Sequence, residues 1–384
     1  MENPGPTATS LPQEERSAVS RPPSPPRATK PPATVRGRYL LLGGAGVCLL
    51  LGLNAGVLLL GLPALFNTER LAEVHAQLML IGFLGTLIAL ERAIALRRTW
   101  GFVAPAGTAV GSLLLLSAAP AAVGQLLQLA GLVTLLLVYR QLWRRSPSTA
   151  VAVQTLGAVL AMGAVVMWLG SVATPALFPW LGGFLILTIV GERLELATVG
   201  APPRSAEVQL LVTSAGYVAA AAATLLWPTV GSVFLGLATL ALVTWLLRFD
   251  VARRTIRATG LPRYVAVNLL CGTAWLGVAG AVWLFGGPVV DGAAYDVVVH
   301  AVGVGFALSM VLAHAPIILP AVLRRPFPYR PVLYVATAGL QVALLLRVAG
   351  DFRSATQLWQ VGGMLTVVAI LAFAVMSATL VARR

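Results

Sequence analysis

The chain carries little charge and few of the residues that stabilise a soluble protein through ion pairs. Of its 384 residues, 10% are charged and 58% are hydrophobic, whereas about 25% of the residues in a soluble domain are charged. It has only two cysteines, Cys48 and Cys271, which lie in separate apolar runs and outside any Cys-x-x-Cys pattern. This composition excludes a soluble globular fold, and the cysteine pattern suggests neither a disulfide framework nor a thiolate metal site. An integral membrane protein is predicted.

Histidine is scarce as well, and its placement is informative. The three histidines, His75, His300 and His314, all fall within apolar runs long enough to cross a membrane. Ionisable residues are costly in hydrocarbon, so those that occur there are functional candidates. Neutral imidazole is also a common ligand of haem iron and of other metals. We therefore expect the function to involve these residues. The alternative for each is a polar side chain hydrogen-bonded between helices.

Apolar runs of about 20 residues, the length of a membrane span, follow one another along most of the chain. Twelve of them are predicted, at 38–60, 73–96, 101–119, 121–143, 149–171, 176–198, 207–227, 229–248, 263–285, 293–316, 330–349 and 356–381. The predicted fold is an all-α polytopic membrane protein whose transmembrane domain occupies residues 37–384. Residues 1–36 are rich in Pro, Ser, Thr and Arg and predict a disordered tail, because such a composition cannot bury a core.

The net charge of +14 comes largely from arginines in the short loops between spans. If residues 1–36 are cytoplasmic, the loops on that side carry Arg97, Arg98, Arg140, Arg144, Arg145, Arg204, Arg253, Arg254, Arg257, Arg324 and Arg325, and the C-terminal Arg383 and Arg384 join them. The other side carries Arg70, Arg347 and Arg353 beside Glu69, Glu73, Asp291, Asp296 and Asp351. This is the positive-inside pattern and not a nucleic-acid-binding surface. It predicts a cytoplasmic-membrane protein, in contact with the lipid bilayer, with both termini in the cytoplasm.

Spans two, six and ten share a sequence pattern in which a Gly-Phe pair is followed, after seven residues, by a polar pair. The pairs are Gly82-Phe83 with Glu91-Arg92, Gly183-Phe184 with Glu192-Arg193, and Gly305-Phe306 with His314-Ala315. These helices are four spans apart and run in the same direction. The pattern therefore predicts three quasi-equivalent four-helix arcs.

The repeat places Glu91, Glu192 and His314 at one depth, near the cytoplasmic ends of three helices. Two carboxylates and an imidazole are suitable ligands for a divalent metal, and they can also relay protons. The alternative is that the two glutamates form ion pairs with Arg92, Arg193 or neighbouring arginines. A proton- or metal-coupled membrane transporter that uses Glu91, Glu192 and His314 is one function this pattern supports.

His75 and His300 are predicted at similar depths near the outer surface, on spans two and ten. Two imidazoles that face each other can ligate a six-coordinate haem. Arg347 and Arg353 flank the predicted loop between spans eleven and twelve, where they would meet the haem propionates; their alternative is a local pair with Asp351. His314 lies about 21 Å along a regular helix from His300, so it cannot share that site.

These features resemble the heme-copper oxidase catalytic subunit and the smaller NnrS-type haem and copper membrane proteins. The matching stretches are His75-Ala-Gln-Leu-Met-Leu-Ile-Gly-Phe83 and His300-Ala-Val-Gly-Val-Gly-Phe306. The resemblance implies that His75 and His300 are the axial ligands of a low-spin haem b and that Arg347 and Arg353 bind its propionates. The copper-site histidines of spans six and seven are missing, since no histidine lies between His75 and His300. A conventional haem-copper oxidase or nitric oxide reductase is therefore not expected.

The function predicted from the residues and the resemblance together is the binding of one bis-histidine haem b near the outer face. Its role would be electron transfer, or the handling of nitric oxide or redox stress. The expected partner is correspondingly a redox protein or a small gas molecule.

Overall fold

The computed structural model describes residues 1–2, 35–197 and 203–382. Its internal contacts divide the chain into two units, 1–32 and 33–384, and the helical architecture below belongs to the second. The predicted disordered tail, residues 1–36, lies almost wholly outside the described residues.

Every regular element in the described part of the chain is helical. The first half contains α1 (Val35–Leu59), α2 (Glu69–Glu73), α3 (His75–Gln77), the π-helix π1 (Leu78–Gly85), α4 (Thr86–Leu96), a 3-10 turn (Thr99–Phe102), α5 (Val103–Leu114), α6 (Ala121–Arg145), α7 (Thr149–Leu169) and α8 (Thr174–Ala197). The second half contains α9 (Arg204–Leu226), α10 (Pro228–Phe249), α11 (Ala252–Thr255), α12 (Leu261–Gly286), α13 (Gly292–His300), the π-helix π2 (Ala301–Leu308), α14 (Ser309–Leu323), α15 (Leu333–Arg353) and α16 (Thr356–Ala382). The all-helical, multi-pass architecture agrees with the prediction.

Within the described residues, 11 helices are long and apolar enough to cross a membrane. The predicted third span, 101–119, is not one of them, because α5 has only 12 residues and rises about 18 Å. Its end is set locally. After Leu114 the backbone N–H groups of Leu116 and Ser117 donate to the carbonyls of Leu113 and Leu114 at 3.1 and 3.0 Å, the i to i−3 pattern that tightens the last turn of a helix.

The short helix α5 is held against α6 by glycines on both helices. A Cβ atom at Gly107 would lie 2.8 Å from Cα of Gly131, and one at Gly111 would lie 2.7 Å from the carbonyl oxygen of Gly124. Small residues allow helix backbones to approach this closely, and such contacts are a main source of helix association in membranes. The short α5 is therefore packed along α6.

The three helices with the repeated pattern form the most buried part of the fold. The most apolar 18-residue stretch of His75–Leu96 is 67% buried, that of Thr174–Ala197 is 78% buried and that of Gly292–Leu323 is 61% buried, against at most 56% for the other candidate spans. Helix α8 contacts both π1 and π2, and α4 contacts α14. The repeated helices therefore meet one another, and the sites described next lie between them.

Candidate functional site

His75 and His300 line one cavity of about 490 Å³, here called the histidine cavity. Its walls come from α1, from α2 and α3 with π1, from the start of α8, from α13 with π2, and from α15 and α16. Most of these lining side chains are apolar. A volume of this size lies within the range of small-molecule and cofactor sites, which are commonly apolar with a few placed polar groups.

Both histidines are oriented by a hydrogen bond from Nδ1 to a backbone carbonyl. His75 Nδ1 lies 2.8 Å from the carbonyl oxygen of Gly52 in α1, and His300 Nδ1 lies 2.8 Å from that of Asp296, one turn earlier in its own helix. A carbonyl can only accept, so Nδ1 carries the proton in each neutral ring. The Nε2 lone pair of each is then available to a ligand, which is the arrangement of a metal-binding imidazole.

A π-helix follows each of these two histidines. π1 starts three residues after His75, and π2 starts directly after His300. π-helical turns are rare and occur frequently at functional sites. His300 and His314 line different cavities, as expected from their separation along the helix, although π2 lies between them and the rise of about 21 Å calculated for a regular α-helix does not apply.

Arg347 also lines the histidine cavity, but its strongest partner is Asp296. Arg347 Nε and Nη2 donate to the two carboxylate oxygens of Asp296 at 2.7 and 2.6 Å. Trp359 Nε1 donates to the same carboxylate at 3.2 Å, and its ring lies 4.9 Å from the Arg347 guanidinium carbon. The expected local pair of Arg347 with Asp351 is thus replaced by a pair between α15 and α13.

Arg353 does not share the position of Arg347, although the sequence suggested equivalent roles. It is the last residue of α15, is exposed, and does not line the cavity. Arg347 lies almost two turns earlier and is buried. The prediction that both arginines flank the connecting loop was wrong for Arg347, because α15 extends to residue 353 and not to 349.

Sequence reasoning did not identify Asp296 or Trp359 as parts of this site. Asp296 Oδ1 lies 3.3 Å from Nδ1 of His300, so one carboxylate contacts both the histidine and the arginine. The i, i+4 spacing of Asp296 and His300 was a usable signal, since such residues are neighbours on a helix. Trp359 had no comparable signal, because its contact with Asp296 joins residues that are far apart in the chain.

Glu91, Glu192 and His314 line a second cavity of about 120 Å³, here called the glutamate cavity. Its walls come from α1, from π1 with α4, from α8, and from π2 with α14. The repeated pattern therefore brings together the three residues it singled out. The cavity lies toward the ends of these helices that lead to Arg97 and Arg324, here called the arginine-rich end.

The two arginines beside the glutamate cavity have different partners. Arg92 contacts three carboxylates, at 2.5 Å for Glu91, 3.0 Å for Glu195 and 3.8 Å for Glu192. Arg193 instead donates from Nε and Nη2 to Asp250, at 2.6 and 3.0 Å. The expected ion pairs of the two glutamates thus involve Arg92, and Asp250 is a partner that the sequence pattern did not reveal.

The sequence that forms these helices matches a known protein family. A family model described as "Domain of unknown function (DUF8744)" matches residues 38–382. The chain belongs to the DUF8744 family. The match includes both cavities and all the helices that line them. No curated protein matches this sequence.

In this DUF8744 protein, His314 is poorly placed to bind a metal. Its Nδ1 lies 2.8 Å from the carbonyl oxygen of Met310, and its Nε2 lies 3.2 Å from Nη1 of Arg193. Nδ1 therefore donates and Nε2 accepts, which leaves no lone pair for a metal. The described residues also contain no group of three or more His, Cys, Asp or Glu side chains placed to hold a metal ion. The divalent-metal site expected at Glu91, Glu192 and His314 has no support from this geometry.

Proposed function

We propose that the protein binds one haem b in the histidine cavity, with His75 and His300 as axial ligands, and that it transfers electrons at one face of a membrane. The observation that carries the proposal is that both imidazoles line one cavity of about 490 Å³ while their Nδ1 atoms are tied to backbone carbonyls. Their Nε2 atoms remain as the two ligating positions. When bound, the haem supplies a one-electron couple whose potential depends on its axial ligands and surroundings.

If His75 and His300 both held the haem, they would favour electron transfer over the binding of a gas molecule, because no coordination position would be left for the gas. The partner is then a redox protein. Arg347 is suited to hold a propionate, since its Nη1 makes no hydrogen bond within the part of the chain that the structure describes, while Nε and Nη2 are held by Asp296. Arg353 is exposed at the helix end and contributes less.

The orientation we propose has the arginine-rich end in the cytoplasm, with α5 completing twelve crossings. Helix α6 ends at Arg144 and Arg145, and α4 ends just before Arg97 and Arg98. For both ends to face the cytoplasm, residues 99–120 must return across the membrane. The 3-10 turn and α5 are the elements available for that crossing. The twelve crossings then form three four-helix arcs around the repeated helices.

We also propose that the protein is a divergent relative of the heme-copper oxidase and NnrS-type group. The support is the position of the paired histidines on two of the three central helices, spans two and ten. The copper-site histidines are missing, and the sequence has no histidine between His75 and His300 with which to replace them.

A proton-coupled transporter remains the second candidate function. The specific observation that favours it is the glutamate cavity, where carboxylates lie between three central helices. Intramembrane acidic residues commonly mark ion and proton pathways. The metal-coupled version has no comparable support, for the reason given for His314.

The haem proposal is tested by the absorption spectrum of the protein purified from a haem-replete host. We expect a low-spin Soret band that is lost in both His75→Ala and His300→Ala, because each removes one axial ligand. His314→Ala is the matched control, since it lies on the same long helix as His300 but outside the cavity, and it should keep the band. A colourless wild-type protein, or an unchanged spectrum in both cavity variants, would refute the proposal.

A further inference from the structure

The charges around Arg92 do not balance. Three carboxylates, those of Glu91, Glu192 and Glu195, lie within 4 Å of this one guanidinium group. The nearby Arg193 does not correct the imbalance, because Asp250 holds it through two hydrogen bonds. His314 adds no positive charge either, since its Nε2 accepts from Arg193. The cluster therefore has an excess of negative charge.

Of the three carboxylates, Glu192 is the least compensated. Glu91 and Glu195 hydrogen-bond Arg92 directly and are 29% and 50% exposed, so the guanidinium and solvent both stabilise them. Glu192 is 15% exposed and lies 3.8 Å from Arg92. A poorly paired carboxylate in apolar surroundings is costly, and such a group commonly binds a proton instead.

Unpartnered polar atoms converge on the same place. Glu192 Oε1, Arg92 Nε and the Tyr139 hydroxyl are buried and have no hydrogen-bond partner among the described residues. Tyr139 is fully buried on α6, which packs against the helix α4 that carries Glu91 and Arg92. Buried polar groups normally find a partner. Arg92 Nε can donate a hydrogen bond, Glu192 Oε1 can accept one, and the Tyr139 hydroxyl can do both. Together these groups can hydrogen-bond a proton on Glu192 and a water molecule that delivers it.

The cluster also connects to one surface. Glu195 lies in the last turn of α8, is half exposed, and contacts Arg92 and the amide of Gln154. Arg92 in turn joins Glu195 to Glu91, which lines the glutamate cavity beside Glu192. Arg92 cannot give up its own proton, so its role is to hold the two carboxylates, and a proton from the arginine-rich end reaches the cavity wall on the carboxylate oxygens of Glu195 and Glu91 and on water between them. Leucines and isoleucines line most of the rest of the cavity.

From this geometry we infer that Glu192 is the proton-binding carboxyl of a site between the three central helices. It is loaded from the arginine-rich end through the carboxylates of Glu195 and Glu91, which Arg92 holds in place. The groups that set its proton affinity are Glu91 and Arg92 on α4, Tyr139 on α6, Glu195 and Arg193 on its own helix, and His314 on α14. The site is separate from the histidine cavity and does not require a haem.

The first test uses a hydrophobic carbodiimide on the full-length protein in detergent or in vesicles. This reagent takes the proton of a carboxylic acid onto nitrogen while the carboxylate oxygen bonds to its central carbon, so it labels protonated carboxyls in apolar surroundings. We expect Glu192 to be the labelled residue by peptide mass spectrometry, with labelling that falls as pH rises. Labelling of Glu91 in its place, or none at Glu192 at any pH, would overturn the assignment.

The second test measures the carbonyl-stretch band of a protonated carboxyl in infrared difference spectra taken across a pH step. We expect Glu192→Gln to remove this band. The matched control is Glu207→Gln, on the first turn of α9, whose carboxylate accepts a hydrogen bond from Thr149; it should keep the band. If Glu192→Gln keeps it, Glu192 does not carry the proton. The Soret band of Glu192→Gln should be unchanged, which separates this proposal from the haem proposal.

Discussion

The two cavities lie between the same central helices but use their polar groups in opposite ways. In the histidine cavity, backbone carbonyls hold Nδ1 of both imidazoles, which leaves the Nε2 lone pairs for a ligand. In the glutamate cavity, His314 uses both nitrogens within the protein, and the glutamates share one guanidinium. The difference indicates that the two ends of the same central helices support different chemistry, according to which side-chain atoms the neighbouring residues occupy.

The three central helices also differ in their backbone conformation. The helices that carry His75 and His300 each contain a π-helix next to the histidine. Helix α8 has no histidine and remains α-helical, with Pro179 in its first turns. The π-segments therefore accompany the histidines and not the Gly-Phe pattern, which all three helices share. This supports a local role for them in shaping the histidine cavity.

The largest effect should come from breaking the ion pair beside the glutamate cavity. Arg193→Ala leaves the buried Asp250, 7% exposed, without its charged partner, and the loss of one member of a buried pair costs about 3–5 kcal/mol. Arg347→Ala should cost less, because Asp296 is 19% exposed and keeps its bond from Trp359. Reversible unfolding in mixed micelles measures both free energies.

A double variant, Arg193→Ala with Asp250→Leu, is the control for this comparison. It removes the unpaired carboxylate and should recover part of the lost stability. If Arg347→Ala destabilised the protein as much as Arg193→Ala, the two ion pairs would be equally important to the fold, and the contrast between the cavities would fail.

The arrangement of the central helices could be predicted because it depends on local regularity. Glu91, Glu192 and His314 each follow a Gly-Phe pair at the same spacing on a continuous helix, and the structure brings all three to one cavity. The partners could not be predicted from that spacing. Asp250 reaches Arg193, and Trp359 reaches Asp296, only through tertiary packing. The length of α5 was also missed, because the chain leaves the helix after Leu114 inside an apolar run.

An intermediate loss of stability should distinguish the face of π2 that packs against Trp275 from the face that lines the histidine cavity. In Gly305→Ala the new Cβ would lie 2.4 Å from Cγ of Trp275. Trp275 cannot easily move, because its Nε1 donates to Gln341 at 2.7 Å. Overpacking of this kind typically costs about 1–3 kcal/mol, measured by the same unfolding in micelles.

The matched control is Gly303→Ala, two residues away in π2. A Cβ at Gly303 would meet nothing within 4 Å, and this residue lines the histidine cavity. Its stability should stay at the wild-type value, while its methyl group projects into the cavity and should perturb the Soret band. Equal destabilisation by both alanines would show that π2 tolerates no side chain on either face. The proposed difference between the packed face and the cavity face would then be wrong.

The smallest effect should come from a change of one charge in the histidine cavity. Asp296→Asn removes the carboxylate that lies 3.3 Å from Nδ1 of His300. A carboxylate near a ligating histidine raises its basicity, and a nearby negative charge also favours the oxidised iron. Both effects lower the midpoint potential of a haem bound there. The variant should therefore raise it by about 59 mV, a tenfold change in the one-electron equilibrium.

Redox titration of the Soret band measures this shift, with Asp291→Asn as the control. Asp291 precedes the same helix, is exposed and does not line the cavity, so its loss should leave the potential unchanged. A fall in potential for Asp296→Asn would mean that its effect on Arg347 and Trp359 exceeds its effect on His300. An equal rise in both variants would indicate a general effect of charge at this end of the protein, and the specific contact between Asp296 and His300 would then have no role in setting the potential.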